Sequence, residues 1–174
     1  METWKAFEQN VVTHSVAHHL MTISHLLKEK GYARVTDVAK SLDITRGSAS
    51  ITLKTLKEKG FVKEDENKFL RLSKKGKDLS HAIESMRFIL IRFLKDVLGV
   101  EAGQAEIDAC KMEHLISPES GEKLLQFVKF LFSEDQQALA FLEAYARYEC
   151  TCHGSTEECG VCETECLMQN DSPE

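Results

Sequence analysis

Residues 36–60 read Thr36-Asp37-Val38-Ala39-Lys40-Ser41-Leu42-Asp43-Ile44-Thr45-Arg46-Gly47-Ser48-Ala49-Ser50-Ile51-Thr52-Leu53-Lys54-Thr55-Leu56-Lys57-Glu58-Lys59-Gly60. Val38, Ala39 and Leu42 form an apolar stripe, which predicts a short helix over 36–42 with Thr36 able to cap it. Asp43-Ile44-Thr45 is a tight turn. A second helix, rich in Ser, Thr and Lys, is predicted over 47–59 and closed by Gly60. A short helix, a turn and a polar helix make the helix-turn-helix pattern, whose second helix reads DNA in the major groove.

Working outward, residues 4–29 carry apolar side chains from Trp4 to Leu27 at helical spacing, and Gly31 ends that helix. Downstream the period changes. Phe61-Val62-Lys63 and Phe69-Leu70-Arg71-Leu72 read as two short strands joined by the polar loop 64–68, a β-hairpin wing. A long helix is predicted over about 78–98. Its second half, from Met86 to Leu98, is apolar nearly all round and therefore expected in a dimer core. Further helices are predicted over about 104–115, 118–132 and 134–148, the last entered through a capping-box signature at Ser133-Glu134-Asp135-Gln136.

Composition agrees with this plan. The chain has 174 residues, 43% of them apolar, with only 2 prolines and 9 glycines. That excludes a disordered chain and a sandwich-like β protein. The net charge of -6 is unevenly placed: residues 28–77 hold 14 Lys and Arg against 7 Asp and Glu, leaving -13 for the rest. A basic segment inside an acidic chain is the footprint of a polyanion partner. Neither a signal peptide nor a run long enough to cross a bilayer is legible, so a cytoplasmic location without membrane contact is expected. In a reducing compartment the 6 cysteines are expected to be metal ligands or redox thiols rather than disulfides.

Cys110, Glu113 and His114 stand at i, i+3 and i+4, which on a helix puts a thiolate, a carboxylate and an imidazole on one face. That is half a shell for a divalent transition metal. His14, His18, Met21 and His25 form a second stripe of nitrogen and sulfur donors on the first helix. His19 and His81 are read instead as satisfied side chains.

The chain resembles the diphtheria toxin repressor/manganese transport regulator family of metal-dependent transcriptional regulators, over residues 14–132. The resemblance is carried by Gly31-Tyr32-Ala33-Arg34-Val35-Thr36-Asp37-Val38-Ala39, Leu56-Lys57-Glu58-Lys59-Gly60-Phe61-Val62 and Leu72-Ser73-Lys74-Lys75-Gly76-Lys77. Most specific is Ala109-Cys110-Lys111-Met112-Glu113-His114-Leu115-Ile116-Ser117. It implies a homodimer that binds operator DNA when loaded with metal. It also implies His18, Cys110, Glu113 and His114 as ligands, to which the stripe adds His14 and Met21. The chain departs from the family at a second metal site, where Arg87, Ile91 and Glu106 stand at positions that carry other residues; an arginine cannot shed its proton to ligate. It also departs at Ile51, where one branch has a base-facing Gln.

Donor softness leaves Fe²⁺, Co²⁺, Ni²⁺ and Zn²⁺ open for a thiolate with two imidazoles. Within the family a Cys at this position accompanies iron, so Fe²⁺ is favoured, with Zn²⁺ and Mn²⁺ as alternatives. The last residues are different. Cys150, Cys152, Cys159, Cys162 and Cys166, with His153, gather thiols at spacings that suit zinc or an iron–sulfur cluster but match no standard zinc finger.

The fold expected is mainly α: a winged helix-turn-helix domain (1–77), a helical dimerisation and metal-binding domain (78–149) and a Cys-rich tail (150–174). The function expected is metal-dependent binding of double-stranded, pseudo-palindromic operator DNA, repressing metal-uptake genes. Thr45, Arg46, Ser48, Ser50, Thr52 and Lys54 are candidates for base and phosphate contacts, and Lys63, Lys68, Lys74 and Lys75 for the backbone. An iron–sulfur or redox sensor using the tail is the alternative. No nucleophile–base pair or phosphate-cradling loop speaks for an enzyme.

Overall fold

The structure, a computed structural model, describes residues 12–149. The tail cysteines Cys150, Cys152, Cys159, Cys162 and Cys166 lie outside the described residues, as do the first residues of the predicted N-terminal helix.

Helix α1 (His14–Lys30) starts where Thr13 Oγ1 accepts the Val16 N–H and stops at Gly31, whose φ of 75° places it in the left-handed region. Leu20, Ile23 and Leu26 bury one face of α1 against the helix-turn-helix. Helix α2 (Val35–Ser41) begins one residue earlier than predicted. Its cap is not Thr36. Asp37 reaches back to accept the Arg34 N–H, because a carboxylate at the third helical position reaches that donor while Thr36 already lies inside the first turn.

The turn into α3 (Arg46–Glu58) passes through Asp43 at φ 52°, a left-handed position that Asp tolerates. Thr45 Oγ1 then accepts the Ser48 N–H and starts α3 one residue before the predicted point. Ala49, Leu53 and Leu56 face the core at spacings of four and three.

Strands β1 (Val62–Glu64) and β2 (Leu70–Leu72) pair antiparallel, with Val62 opposite Leu72 and Glu64 opposite Leu70. Val62, Leu70 and Leu72 point into the core while Lys63 and Arg71 point out, as the two-residue period of a strand requires. The hairpin is pinned by Leu70 N–H to Ala33 O at 2.8 Å. Asp65 closes its loop by accepting from the N–H groups of Asn67 and Phe69.

Helix α4 (Lys74–Arg92) corrects the predicted start near 78. Ser73 is the missed signal: its Oγ accepts the Gly76 N–H and donates to Gly60 O, so the lysine-rich stretch is the first turn of the helix. Gly76 lies against the wing so closely that a Cβ there would meet Phe61 O at 2.1 Å. α4 therefore runs through the expected domain boundary. The predicted helix continues to Leu98 only by widening into a π-helical turn over Phe93–Val97.

Helix α5 (Ala102–Met112) packs on α4 and ends earlier than predicted. Helix α6 (Pro118–Leu131) follows, and Ser117 Oγ accepts from its Ser120 N–H. The chain divides into two compact units, the first ending at Phe130 and the second starting at Leu131. The second contains helix α7 (Gln136–Arg147), capped by Asp135 rather than Ser133 because the Asp135 carboxylate takes the Gln137 N–H at 2.7 Å. No described helix is long and apolar enough to cross a membrane.

Candidate metal centre and nucleic-acid interface

His14 and His18 are one helical turn apart at the start of α1, with ring centroids 4.2 Å apart. Across 92 residues of chain, Cys110 Sγ of α5 lies 3.1 Å from His18 Nε2. Donor atoms of His14, His18 and Cys110 all fall within 4.8 Å of one another, a spacing a single ion can span. His114 lies close by, its ring centroid 5.5 Å from that of His14, outside the 4.8 Å donor group.

Helix α5 ends at Met112, but Glu113 keeps right-handed helical dihedrals and its N–H reaches Ala109 O at 2.8 Å, while His114 belongs to the turn beyond. The Glu113 side chain is fully buried, accepts no hydrogen bond at either oxygen, and lies 3.8 Å from Arg87 Nη1. A buried carboxylate is costly unless paired. Burial raises its pKa to about 7, against the opposing pull of Arg87.

His18, His114 and Cys110 are shifted by the same surroundings. Burial, then the neighbouring charges of His14, Arg87, His114 and His19, lower the pKa of His18. Burial and His14 do the same for His114. Burial, then Glu113, raises the Cys110 thiol, with Arg87 opposing. Burial thus favours the neutral imidazoles of His18 and His114, the form that ligates, and opposes ionisation of Cys110 and Glu113, which a bound cation would offset. This donor set, with an orphaned buried carboxylate beside it, fits a divalent ion.

Met21 lines a cavity of about 420 Å³ beside His18, together with His25, Lys28 and Arg87. His25 pairs with Glu29 at 3.2 Å. His19 is buried, and its Nδ1–H donates to Ser15 O at 2.7 Å, but its Nε2 is buried without a hydrogen-bond partner, so the satisfied role expected of it is met at one nitrogen and not at the other.

The hydroxyls proposed for DNA contact are already engaged. Thr45 and Ser48 bond each other at 2.9 Å, and Ser50 donates to Arg46 O. Thr52 is half-buried, 3.3 Å from Ser15 Oγ of α1, so its side chain faces the metal helix. Lys63, Lys68 and Lys74 are exposed, and Lys75 is exposed with its ammonium 4.5 Å over the Phe61 ring. Lys54 reaches Glu58 at 3.9 Å. Arg34 and Lys57 were not singled out: with Arg46, Ser50, Lys68 and Glu64, the last paired with Lys57 and Lys68, they line a net basic groove of about 460 Å³ between α3 and the wing. In the sequence they are only two members of a basic stretch, and tertiary placement alone brings them together.

Comparison with known proteins follows the same division. Residues 12–70 match the family described as iron dependent repressor, N-terminal DNA binding domain. Residues 73–136 match iron dependent repressor, metal binding and dimerisation domain. The HTH-type transcriptional regulator MntR of Lysinibacillus sphaericus (strain C3-41) is 28% identical over 132 residues, which cover 76% of this chain and 94% of that protein. MntR of Bacillus subtilis (strain 168) is 28% identical over 125 residues, covering 72% and 87%. Among solved structures, the manganese regulator SloR aligns with a TM-score of 0.60 at 22% identity, over 66% of this chain and 53% of that one. The metal-dependent transcriptional regulator MtsR aligns with a TM-score of 0.62 at 20% identity, over 68% and 55%. The chain thus spans about half the length of those two structures, and the likeness to them is one of fold.

Proposed function

The chain belongs to the iron-dependent repressor family of metal-dependent, DNA-binding transcriptional regulators, which are not enzymes, and we propose that His14, His18 and Cys110, completed by Glu113 and His114, hold the activating metal. The observation that carries this reading is the 3.1 Å approach of His18 Nε2 to Cys110 Sγ, which joins α1 of the DNA-binding half to α5 of the helical half. Met21 is kept as a further donor.

A divalent ion held by these residues would supply the cross-link between α1 and α5 and a positive charge that favours the ionised forms of Cys110 and Glu113. The rest is the work of the chain. α1 packs on α3, and Ser15, in the first turn between the two histidines, bonds Thr52 of the recognition helix at 3.3 Å. Fixing the first turn of α1 therefore fixes α3. Arg87 supplies a permanent cation at Glu113, which argues for one activating ion rather than two. Operator DNA and metal would each favour the same arrangement, each tightening the other by one factor.

The softness of a thiolate with neighbouring imidazoles favours Fe²⁺ over Mn²⁺, with Zn²⁺ the closest rival. Manganese is what the name of SloR suggests for that protein, and it remains an outcome of the test. Phe88, Leu98 and Ile107 are exposed on the single chain and offer the apolar surface a homodimer would cover. Two copies of α3 would then meet the half-sites of a pseudo-palindromic operator, with Arg46, Lys54, Lys63, Lys68, Lys74 and Lys75 toward the phosphates. Repression of metal-uptake genes and a cytoplasmic location complete the proposal.

A second reading rests on the density of thiols at Cys150, Cys152, Cys159, Cys162 and Cys166, which suits an iron–sulfur cluster or zinc. One experiment addresses both. Anaerobically purified protein, full-length and lacking residues 150–174, is analysed for metal and sulfide and titrated with Fe²⁺, Zn²⁺ and Mn²⁺ in a mobility-shift assay. Activation by Fe²⁺ at the lowest free concentration in both proteins supports the helical site. Loss of the response on deleting the tail would transfer sensing to the cysteines.

A further inference from the structure

Ile51 is the most exposed large apolar side chain among the described residues, at 72%. It sits in the middle of α3, where an exposed branched hydrocarbon contributes nothing to folding. Its own neighbours give it no cover. Gly47 and Ser48, one turn earlier, are the smallest side chains available, and a Cβ at Gly47 would touch only Thr45 Oγ1 at 3.7 Å. That glycine is required neither by packing nor by a left-handed φ. The N-terminal half of the helix is therefore bare on the side where Ile51 projects, which permits close approach of a rigid surface.

The surroundings indicate the kind of surface. Arg46 and Lys54 lie on the same helix, and Arg34, Lys57 and Lys68 line the adjoining groove with Glu64, which pairs with both lysines and leaves the lining net positive. A cluster of this sign selects a polyanion. Within a DNA major groove the thymine 5-methyl is the apolar group on offer, and apolar side chains read it by contact. Meanwhile the hydroxyls of Thr45, Ser48, Ser50 and Thr52 each have an intramolecular partner. The hydroxyls of this helix thus have partners within the protein, that of Thr52 on α1 and the others on α3, whereas Ile51 presents bare hydrocarbon.

We infer that Ile51 is the specificity-determining residue of the recognition helix, reading the 5-methyl group of a thymine in each operator half-site. The inference rests on the operator-binding reading above and adds to it a named base feature. It places one thymine in each half-site at the position Ile51 meets, and it makes recognition there depend on hydrocarbon contact rather than on hydrogen bonds.

The test begins with metal-loaded full-length protein and a random duplex library, from which bound sequences are enriched. Each thymine of the enriched site is then replaced in turn by deoxyuridine, which removes the methyl and nothing else. Wild-type affinity should fall about 3- to 10-fold at one thymine per half-site, the size expected for one lost methyl contact and its packing. Ile51→Ala should bind the thymine site more weakly by a similar factor and be indifferent to deoxyuridine there, while Ile51→Val falls between. Because Ile51 is exposed, thermal melting of Ile51→Ala should match wild type. Enrichment of a defined site with no deoxyuridine-sensitive thymine, or with equal sensitivity in Ile51→Ala, would overturn the inference alone. Enrichment of no sequence would overturn the operator reading and this inference with it.

Discussion

The winged helix and the metal centre are held together in opposite ways. In the winged helix the interior is finished: Leu20, Ile23, Leu53, Leu56 and Leu70 are at most 1% exposed, and the hairpin loop, caps and turns satisfy their own backbone groups. The metal centre is built of polar donors instead: His14, His18 and Cys110 converge from α1 and α5, and the buried Glu113 carboxylate lies 3.8 Å from Arg87 Nη1. Apolar burial favours one arrangement by itself, whereas donors drawn from two helices can be held in one arrangement by the ion that binds them. The difference separates what folds this protein from what would regulate it.

The largest effect should come from breaking the finished side. Leu20→Ala removes a fully buried side chain of α1 and should cost about 2–5 kcal/mol. Thermal melting should fall with and without metal alike, since burial, not ligation, is being lost. A loss confined to the metal-loaded protein would show that α1 is ordered by the metal instead.

Gly76→Ala should act at the junction of the two regions. A methyl placed 2.1 Å from Phe61 O forces the first turn of α4 away from the wing, at a cost of about 1–3 kcal/mol. Denaturant unfolding gives the cost directly. An unchanged midpoint would mean that the wing and α4 are not in the tight register described.

The smallest effect should come from Ser15→Ala. The hydrogen bond to Thr52 is exposed, so folding should change by about 1 kcal/mol or less. Its signature is different: metal should still bind, but the gain in operator affinity on adding metal should shrink. If that gain is untouched, α1 communicates with α3 through core packing alone.

The sequence was most informative where periodicity carried the signal. The helix-turn-helix was legible from Val38, Leu42, Leu53 and Leu56, and the hairpin from its alternation, because burial of one face repeats along the chain. Helix ends were less legible. Asp37 competes with Thr36 as the capping group, and the lysine run after Ser73 looks like a loop until the serine hydroxyl is seen to cap it. The donors Cys110, Glu113 and His114 could be picked out by residue type, but their division could not: Glu113 turns to Arg87, 26 positions away in the chain, while Cys110 turns to His18. Pairings between remote segments leave no periodic trace. Arg34 and Lys57 were missed for the same reason.

The measurement that bears most directly on the metal centre is reciprocal linkage in wild type and Cys110→Ser. Metal affinity is measured with and without operator DNA, and DNA affinity with and without metal. In wild type the two ratios should be equal and well above one, as linkage between a metal and a DNA site requires. In Cys110→Ser both should fall toward one while the metal-free protein melts as wild type does, since Cys110 contributes a donor rather than core. A Cys110→Ser protein whose operator affinity still rises with metal by the wild-type factor would contradict the assignment of the α1–α5 cross-link as the switch.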